Sequence, residues 1–300
     1  MSIEVSWFAA LCDDDYEFLG VPDPALLSSF EHCGDIVRTA EAAGFDNILL
    51  PSGYSLGIDA VSFASAIAPS LDRMRLLVAV RCGELWPPQL ARQLATLDQV
   101  LGGRLTVNII SSDRPGESLA SEPRYQRTLE EMQILRNLLD RRTVEHHGDT
   151  YELDVEPPRT ATVSGTCPPL YFGGLSEHAR EVAAREADVY LMWPDTEPAV
   201  TELVTDMRAR AERHGRSLRF GYRVHVIVRE TEDEALAAAA RLVSRLDDEV
   251  GDEIRFDAES LEGAGDPAVR RRHLEVGGGP CHLHQGGDRP PVLGQHRHGP

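Results

Sequence analysis

Two ionisable side chains, Arg223 and His225, interrupt an apolar run in the last third of the chain. The run over residues 218–231 is rich in β-branched residues, which predicts a buried strand. Because alternate side chains of a strand point to one face, the two ionisable groups share a face. A buried guanidinium needs an anionic partner, and an imidazole exchanges protons near neutral pH. The pair therefore indicates an anion-recognising pocket with a titratable neighbour, or else an internal salt bridge to a core carboxylate.

A second candidate is the turn that contains Gly173, Gly174 and Ser176, between a predicted strand and a predicted helix. Ser176 is a suitable helix N-cap, and the glycines allow a ligand to approach the backbone N–H groups of the helix start. Such a turn suits a phosphate group. An ordinary strand-to-helix connection has the same composition, so both interpretations stay open.

Three further side chains are candidates for the lining of a pocket. Asn108 ends a predicted strand, where its amide either bonds the heteroatom edge of a ring cofactor or caps a turn. Trp193 ends another predicted strand, and its ring either forms a pocket wall or packs structurally. Tyr125 begins a predicted helix and either reaches into the site or anchors that helix.

These candidates belong to a repeating strand–helix pattern. The predicted strands cover residues 3–10, 47–51, 75–81, 104–110, 170–172, 189–193 and 218–231. Each is followed by a predicted helix, over residues 28–43, 58–68, 88–101, 124–139, 176–186, 198–214 and 233–246. Residues 141–169 leave the pattern, with a hairpin predicted over 143–153. Seven alternating units require parallel strands with right-handed crossovers, which places the chain in the α/β class.

Two α/β folds fit this pattern, a doubly wound sheet and a (β/α)8 TIM barrel. A doubly wound sheet favours a glycine-rich turn after the first strand, and residues 9–13 contain no glycine. A barrel brings the C-terminal ends of its strands together, and the polar candidates lie at these ends. The sequence therefore predicts the barrel.

The amino-acid composition of the chain limits the kinds of molecule that it can bind. With 42% hydrophobic and 26% charged residues the chain has an ordinary globular composition, and its net charge of −19 disfavours nucleic acid and anionic membranes as partners. All its basic residues other than histidine are arginines, which excludes a lysine Schiff base. Five scattered cysteines without metal-ligand spacing predict free thiols. Without a signal segment or a membrane-length apolar run, we expect a cytoplasmic protein.

Six stretches of the sequence resemble the alkanesulfonate monooxygenases of the bacterial luciferase-like flavin-dependent superfamily. The resemblance implies a (β/α)8 barrel that binds reduced FMN, supplied by a separate NAD(P)H-dependent flavin reductase. It also implies that dioxygen is used to cleave the C–S bond of an alkanesulfonate, giving an aldehyde and sulfite, and that the protein is a homo-oligomer. The stretches are residues 7–8, 49–53, 77–81, 91–98, 168–174 and 219–231.

Position by position, the resemblance makes Arg223, His225 and Trp193 active-site residues. Asn108, Tyr125 and the turn from Gly173 to Ser176 then fall where the superfamily holds its flavin. Two alternatives keep the barrel but change the function. One is a deazaflavin (F420)-dependent oxidoreductase, and the other is a catalytically inactive barrel that serves as a binding or oligomerisation module.

The sequence also departs from that family. Leu56 stands where the family has a cysteine, and Cys12 where it has a histidine, so the substrate range is open. The family continues into an arginine-bearing loop and an eighth strand with a tyrosine, whereas residues 270–300 hold seven glycines, four prolines and five histidines. We therefore expect a C-terminally incomplete barrel over residues 1–268, lacking its eighth strand and impaired in turnover. Residues 269–300 are expected to form a disordered tail foreign to the fold.

Overall fold

The structure is a computed structural model, and it describes residues 3–8, 11, 17–19, 21, 28–54 and 57–246. The strands are β1 (Ser6–Phe8), β2 (Asn47–Leu50), β3 (Arg75–Arg81), β4 (Leu105–Ile110), β5 (Val144–His147), β6 (Glu152–Val155), β7 (Leu170–Gly173), β8 (Val189–Met192) and β9 (Arg219–Tyr222). The helices are α1 (Phe30–Ala42), α2 (Ala60–Ile67), α3 (Pro87–Val100), α4 (Ser121–Leu139), α5 (Glu177–Glu186), α6 (Glu197–Arg213) and α7 (Glu232–Leu242).

The described strands form one parallel sheet and one hairpin. The sheet has seven strands in the order β1-β2-β3-β4-β7-β8-β9, and each is followed in the chain by a helix. Strands β5 and β6 pair antiparallel with each other, as the hairpin prediction required. The α/β class and the seven strand–helix units are therefore confirmed.

The sheet curls into an open barrel. The Tyr171 hydroxyl, on β7, donates to Oε1 of Glu4 at 3.3 Å, although three strands separate β7 from β1. Farther along the barrel, the Arg223 guanidinium lies 4.9 Å from the ring centroid of Phe8 on β1. Both contacts cross the lumen, and the second one joins the C-terminal ends of the two edge strands, β1 and β9. The predicted tail over 269–300 lies outside the described residues, as do Cys12 and Leu56.

Two apolar layers hold the sheet in place. Outward-facing side chains of the strands, such as Leu76 and Val107, are fully buried against the helices. A second, smaller cluster consists of side chains that alternate with these and face the lumen: Leu49, Leu77, Tyr171, Val189 and Leu191. The lumen is therefore packed in its middle, and ligand chemistry belongs at the C-terminal mouth.

Local sequence signals set the helix ends. The Ser29 hydroxyl accepts the His32 N–H at 3.1 Å at the start of α1, and Gly44 follows the helix with a φ of 93°. Thr231 and Glu234 form a reciprocal capping box at the start of α7. In the part of the chain that the structure describes, no helix is both long and apolar enough to cross a membrane.

The strand predicted over 218–231 is wrong beyond Tyr222. Its neighbour β8 ends at Met192, whose carbonyl accepts the Arg223 N–H at 3.0 Å as the last bond of the ladder. No described strand pairs with residues 224–228. Val226 and Val228 are consequently 60% and 78% exposed, and the expectation that this run is buried is corrected.

The first strand is likewise shorter and more exposed than predicted. Residues 3–10 were expected to form a buried strand, but β1 covers only Ser6–Phe8, and Ile3 is 85% exposed. The strand pairs with β2 and has no second partner among the described strands. An edge position leaves one side of the backbone and part of the side chains in solvent.

Candidate active site at the barrel mouth

The predicted site residues lie mainly on three adjacent strands at one end of the barrel. Gly173 ends β7, Trp193 follows β8, and Arg223 follows β9. Since neighbouring strands run about 4.8 Å apart, these positions form one continuous rim. Asn108 lies on β4, the next strand along, where it is half-buried and paired in register with Ala79 and Tyr171.

Arg223 contacts two aromatic rings. Its guanidinium carbon lies 4.2 Å from the ring centroid of Trp193 and 4.9 Å from that of Phe8. All three side chains are half-buried. A cation over an aromatic ring is attracted to the ring face, and the N–H donors of a guanidinium point outward within its own plane. The sequence analysis predicted that Arg223 and Trp193 are active-site residues. It assigned no role to Phe8, which lies in one of the six stretches that carry the family resemblance.

His225 lies outside this group of three side chains. It is exposed, in the segment that follows β9. The expectation that Arg223 and His225 share a face rested on a continuous strand, and the strand ends before both residues. The catalytic role of His225 stays a prediction.

Close packing around the turn requires glycine at both Gly173 and Gly174. A Cβ on Gly173 would come within 2.6 Å of the Leu191 carbonyl oxygen on β8. Gly174 has a φ of 138°, and a Cβ there would lie 2.7 Å from the Cβ of Ala179. Ser176 caps α5 as predicted, because its hydroxyl accepts the Ala179 N–H at 3.2 Å. The composition of the turn is therefore explained without a ligand, and phosphate binding stays a prediction.

Tyr125 supports this turn from behind the sheet. The side chain is 3% exposed, and its ring meets that of Phe172 edge to face with centroids 6.4 Å apart. Its hydroxyl oxygen lies 3.6 Å from the position that a Cβ on Gly174 would occupy. Of the two roles considered for Tyr125, the anchoring of its helix is the one that these contacts support.

Arg81 is a buried arginine at the mouth to which the sequence assigned no role. It is 7% exposed, and it donates to the Ser112 hydroxyl, to the Asp113 carbonyl at 3.0 Å and to the Ser52 carbonyl at 3.4 Å. Its Nε forms an ion pair with Glu84 at 3.0 Å. One side chain thus ties together the loops that follow β2, β3 and β4. The sequence feature that could have identified Arg81 is its position at the end of an apolar predicted strand.

A buried carboxyl, Glu131, joins three elements behind the mouth. Its Oε2 accepts the Tyr151 hydroxyl at 2.7 Å and the Gly83 N–H at 2.8 Å. Burial raises the pKa of Glu131 to about 7, although these hydrogen bonds and the nearby Arg127 guanidinium act to lower it. The sequence analysis did not identify Glu131. The feature that could have done so is the position of this carboxyl on the apolar face of a predicted helix.

A network of ion pairs fixes the loop between β4 and α4 beside this carboxyl. Arg127 is 3% exposed and donates to Glu117 at 2.7 Å. Arg114 also bonds Glu117, and it donates to the Gly83 carbonyl at 3.1 Å. The hydrogen bond from Arg114, together with that from Arg127, lowers the pKa of Glu117 to about 2. The loops on this side of the mouth are therefore held by charge-assisted bonds.

A parallel barrel with an arginine and an aromatic wall at its C-terminal mouth is typical of an enzyme that binds an anionic ligand there. The chain belongs to the Luciferase-like monooxygenase family, which it matches over residues 16–280. It is therefore a monooxygenase of the luciferase-like type, and the eighth strand of the barrel is not among the described strands.

Two related monooxygenases and one solved structure are similar to this chain. The chain is 61% identical over 278 residues to the sulfoquinovose monooxygenase of Novosphingobium aromaticivorans, covering 90% of this chain and 76% of the relative. It is 52% identical over 265 residues to the sulfoquinovose monooxygenase of Agrobacterium fabrum, covering 87% and 69%. The solved structure of DmoA from Hyphomicrobium sulfonivorans shares the fold at 18% identity, with a TM-score of 0.75 over 92% of this chain and 73% of that one.

These relatives correct one expectation. The sequence resembled the alkanesulfonate monooxygenases, and the superfamily implied by that resemblance is confirmed. The similar proteins are, however, sulfoquinovose monooxygenases, a related but different member of the family.

Proposed function

We propose that the protein is a flavin-dependent monooxygenase that uses reduced FMN and dioxygen to cleave the C–S bond of a sugar sulfonate of the sulfoquinovose type. The observation that carries the proposal is the half-buried guanidinium of Arg223, in contact at the mouth with the rings of Phe8 and Trp193. A guanidinium binds an oxyanion with paired N–H donors. Identities of 61% and 52% to two sulfoquinovose monooxygenases support a sugar sulfonate over a simple alkanesulfonate.

The described residues fit a flavin in the mouth. The half-buried apolar side chain of Leu191, beside Gly173 at the end of β7, offers a surface for a ring system, and the half-buried amide of Asn108 can bond its heteroatoms. The start of α5, capped by Ser176, suits the phosphate, because N–H groups of the first helical turn lack partners within the helix. In this proposal Gly173, Gly174 and Ser176 hold the phosphate, and Tyr125 keeps their turn in place.

The reaction transfers one oxygen atom of dioxygen to the carbon that bears the sulfonate, and the other oxygen atom leaves as water. The bond between carbon and sulfur breaks, the carbon becomes an aldehyde, and the sulfur leaves as sulfite. Reduced FMN, when bound, supplies the two electrons that this reaction consumes. Arg223 binds and orients the sulfonate, and Trp193 excludes water from one side of it. We assign to His225 the acceptance of the proton that the sulfonate-bearing carbon loses when it becomes the aldehyde.

The reaction requires a source of reduced FMN. Because two electrons are consumed in each turnover, we assign the supply of reduced FMN to a separate NAD(P)H-dependent flavin reductase. We also propose a homo-oligomer, since Val226 and Val228 leave apolar surface exposed at 60% and 78%. Light scattering on the purified protein tests the second proposal, which a monomer at micromolar concentration would contradict.

Anaerobic titration with reduced FMN, followed by a pulse of oxygen and an assay for sulfite, tests the function. We expect reduced FMN to bind, and sulfite to appear with sulfoquinovose faster than with octanesulfonate. Binding of a reduced deazaflavin in place of FMN would favour the F420-dependent alternative. Tight binding of either cofactor without turnover would favour an inactive barrel.

A further inference from the structure

We propose that Phe8 is a positioning residue for sulfonate recognition, because its ring holds the guanidinium of Arg223 from the opposite edge of the sheet. The inference rests on the function proposed above. Phe8 ends β1 and Arg223 follows β9, so their contact at 4.9 Å joins the two edge strands of the described sheet. Loss of the Phe8 ring removes one of the two aromatic rings that contact the guanidinium.

The two rings restrict the direction of the hydrogen-bond donors. A guanidinium is planar, and its N–H groups point outward within the plane. Two rings, with centroids 4.2 Å and 4.9 Å from the guanidinium carbon, restrict the orientations that this plane can adopt. An arginine ordered before the ligand arrives loses less side-chain freedom on binding. Phe8 therefore contributes to affinity through Arg223.

Phe8 has a neighbour that serves as a matched control. Phe8 pairs in register with Leu49, a member of the lumen cluster, and so faces the lumen. Trp7 points to the other face of the same strand, where its ring lies 5.2 Å from that of Phe45. Replacement of either aromatic residue by leucine removes a ring from β1, but only Phe8→Leu removes one from Arg223.

The first measurement is binding of sulfoquinovose and of sulfite to the full 300-residue chain by isothermal titration calorimetry. We expect Phe8→Leu to weaken binding about fivefold to twentyfold, because the cation loses one of its two aromatic contacts. Phe8→Tyr keeps the ring and should bind within about twofold of the parent protein. Trp7→Leu should bind as the parent does.

The second measurement needs no ligand. The Nε–H resonance of Arg223, assigned with Arg223→Lys, is expected to be displaced by the ring currents of both aromatic neighbours, and Phe8→Leu should move it. Trp7→Leu should leave it in place. An Arg223 resonance that is unchanged in Phe8→Leu overturns the inference.

The two proposals fail in different ways. If the parent protein binds sulfoquinovose and Phe8→Leu binds it equally well, the positioning role is overturned and the proposed function stands. If the parent binds neither sulfoquinovose nor sulfite, the proposed function is overturned, and the role of Phe8 in sulfonate recognition is overturned with it. Rescue by Phe8→Tyr together with a displaced Arg223 resonance in Phe8→Leu supports the inference.

Discussion

The guanidinium of Arg223 lies over two aromatic rings, those of Trp193 and Phe8. Contact with aromatic rings stabilises a half-buried cation through the electrostatic attraction of the ring faces. This environment suits recognition of a sulfonate, whose three oxygen atoms accept hydrogen bonds over a wide range of angles. Lysine, a point charge without a planar fork, is not an equivalent residue at such a position.

Replacement of Arg223 tests this role directly. We expect Arg223→Ala to weaken sulfoquinovose binding by about 1.5–3 kcal/mol, the range for hydrogen bonds to charged groups, or roughly tenfold to 150-fold. Arg223→Lys should recover part of the loss. Calorimetry measures both, with reduced-FMN affinity as the control that should not change. Sulfoquinovose affinity that is equal in Arg223→Ala and the parent would assign the arginine to structure alone.

Glu131 is a carboxyl whose contribution to stability decreases as pH rises, which is the opposite of the usual effect of a carboxyl. Burial raises its pKa in the folded protein from 4.5 to about 7. Between these values the folded state holds a proton that the unfolded chain has released. The free energy of unfolding therefore falls as pH rises from about 4.5 to about 7, by about 3 kcal/mol in total from this group.

The variant Glu131→Gln should remove that pH dependence. Since glutamine has no proton to release, the stability of the variant relative to the parent should rise by about 3 kcal/mol between about pH 4.5 and about pH 7. Urea unfolding at several pH values measures the difference. Glu122→Gln, an exposed carboxyl on the same helix, is the control. Parallel stability curves for Glu131→Gln and the parent would contradict the prediction.

Helix α5 is the element on which cofactor binding is proposed to depend. Its first turn follows Gly174 directly, and Ser176 caps it. A substitution at Gly174 is a poor test of phosphate binding, because any side chain there meets Ala179 and requires a positive φ. A charge added to the first turn changes the electrostatics without changing the turn.

His178→Glu places such a charge on an exposed residue of the first turn. An anion at a helix N-terminus stabilises the helix by about 0.3–1 kcal/mol but repels a bound phosphate. We expect about threefold to tenfold weaker FMN binding with unchanged or higher thermal stability. Arg185→Gln changes the charge by the same amount at the other end of α5 and should leave FMN affinity unchanged. Equal effects of both variants would place the phosphate elsewhere.

At the scale of the whole molecule, the described chain is an open barrel with edges at β1 and β9. The sequence predicts that residues 269–300 do not belong to this fold, from their glycine, proline and histidine content. We therefore expect a chain that ends at residue 268 to melt within about 2 °C of the full chain. Differential scanning calorimetry measures both proteins. A markedly lower melting temperature of the shorter chain would mean that these residues stabilise the barrel.

The sequence by itself determined the class of fold. Strand and helix periods and the N-cap Ser176 are local signals, and they predicted all seven strand–helix units of the described chain. From the resemblance the sequence selected the right superfamily, but it favoured a different member from the one that the similar proteins represent.

Only the tertiary structure decided where strands end and which side chains meet. The run after Tyr222 has the composition of a buried strand, yet it is exposed because β8 ends at Met192. The ring of Phe8 and the guanidinium of Arg223 lie at opposite ends of the described chain, and curvature of the sheet brings them together. Burial of Glu131 depends on a loop and a hairpin that close over it. Strand pairing, sheet closure and burial are long-range properties, and a local pattern of residues does not contain them.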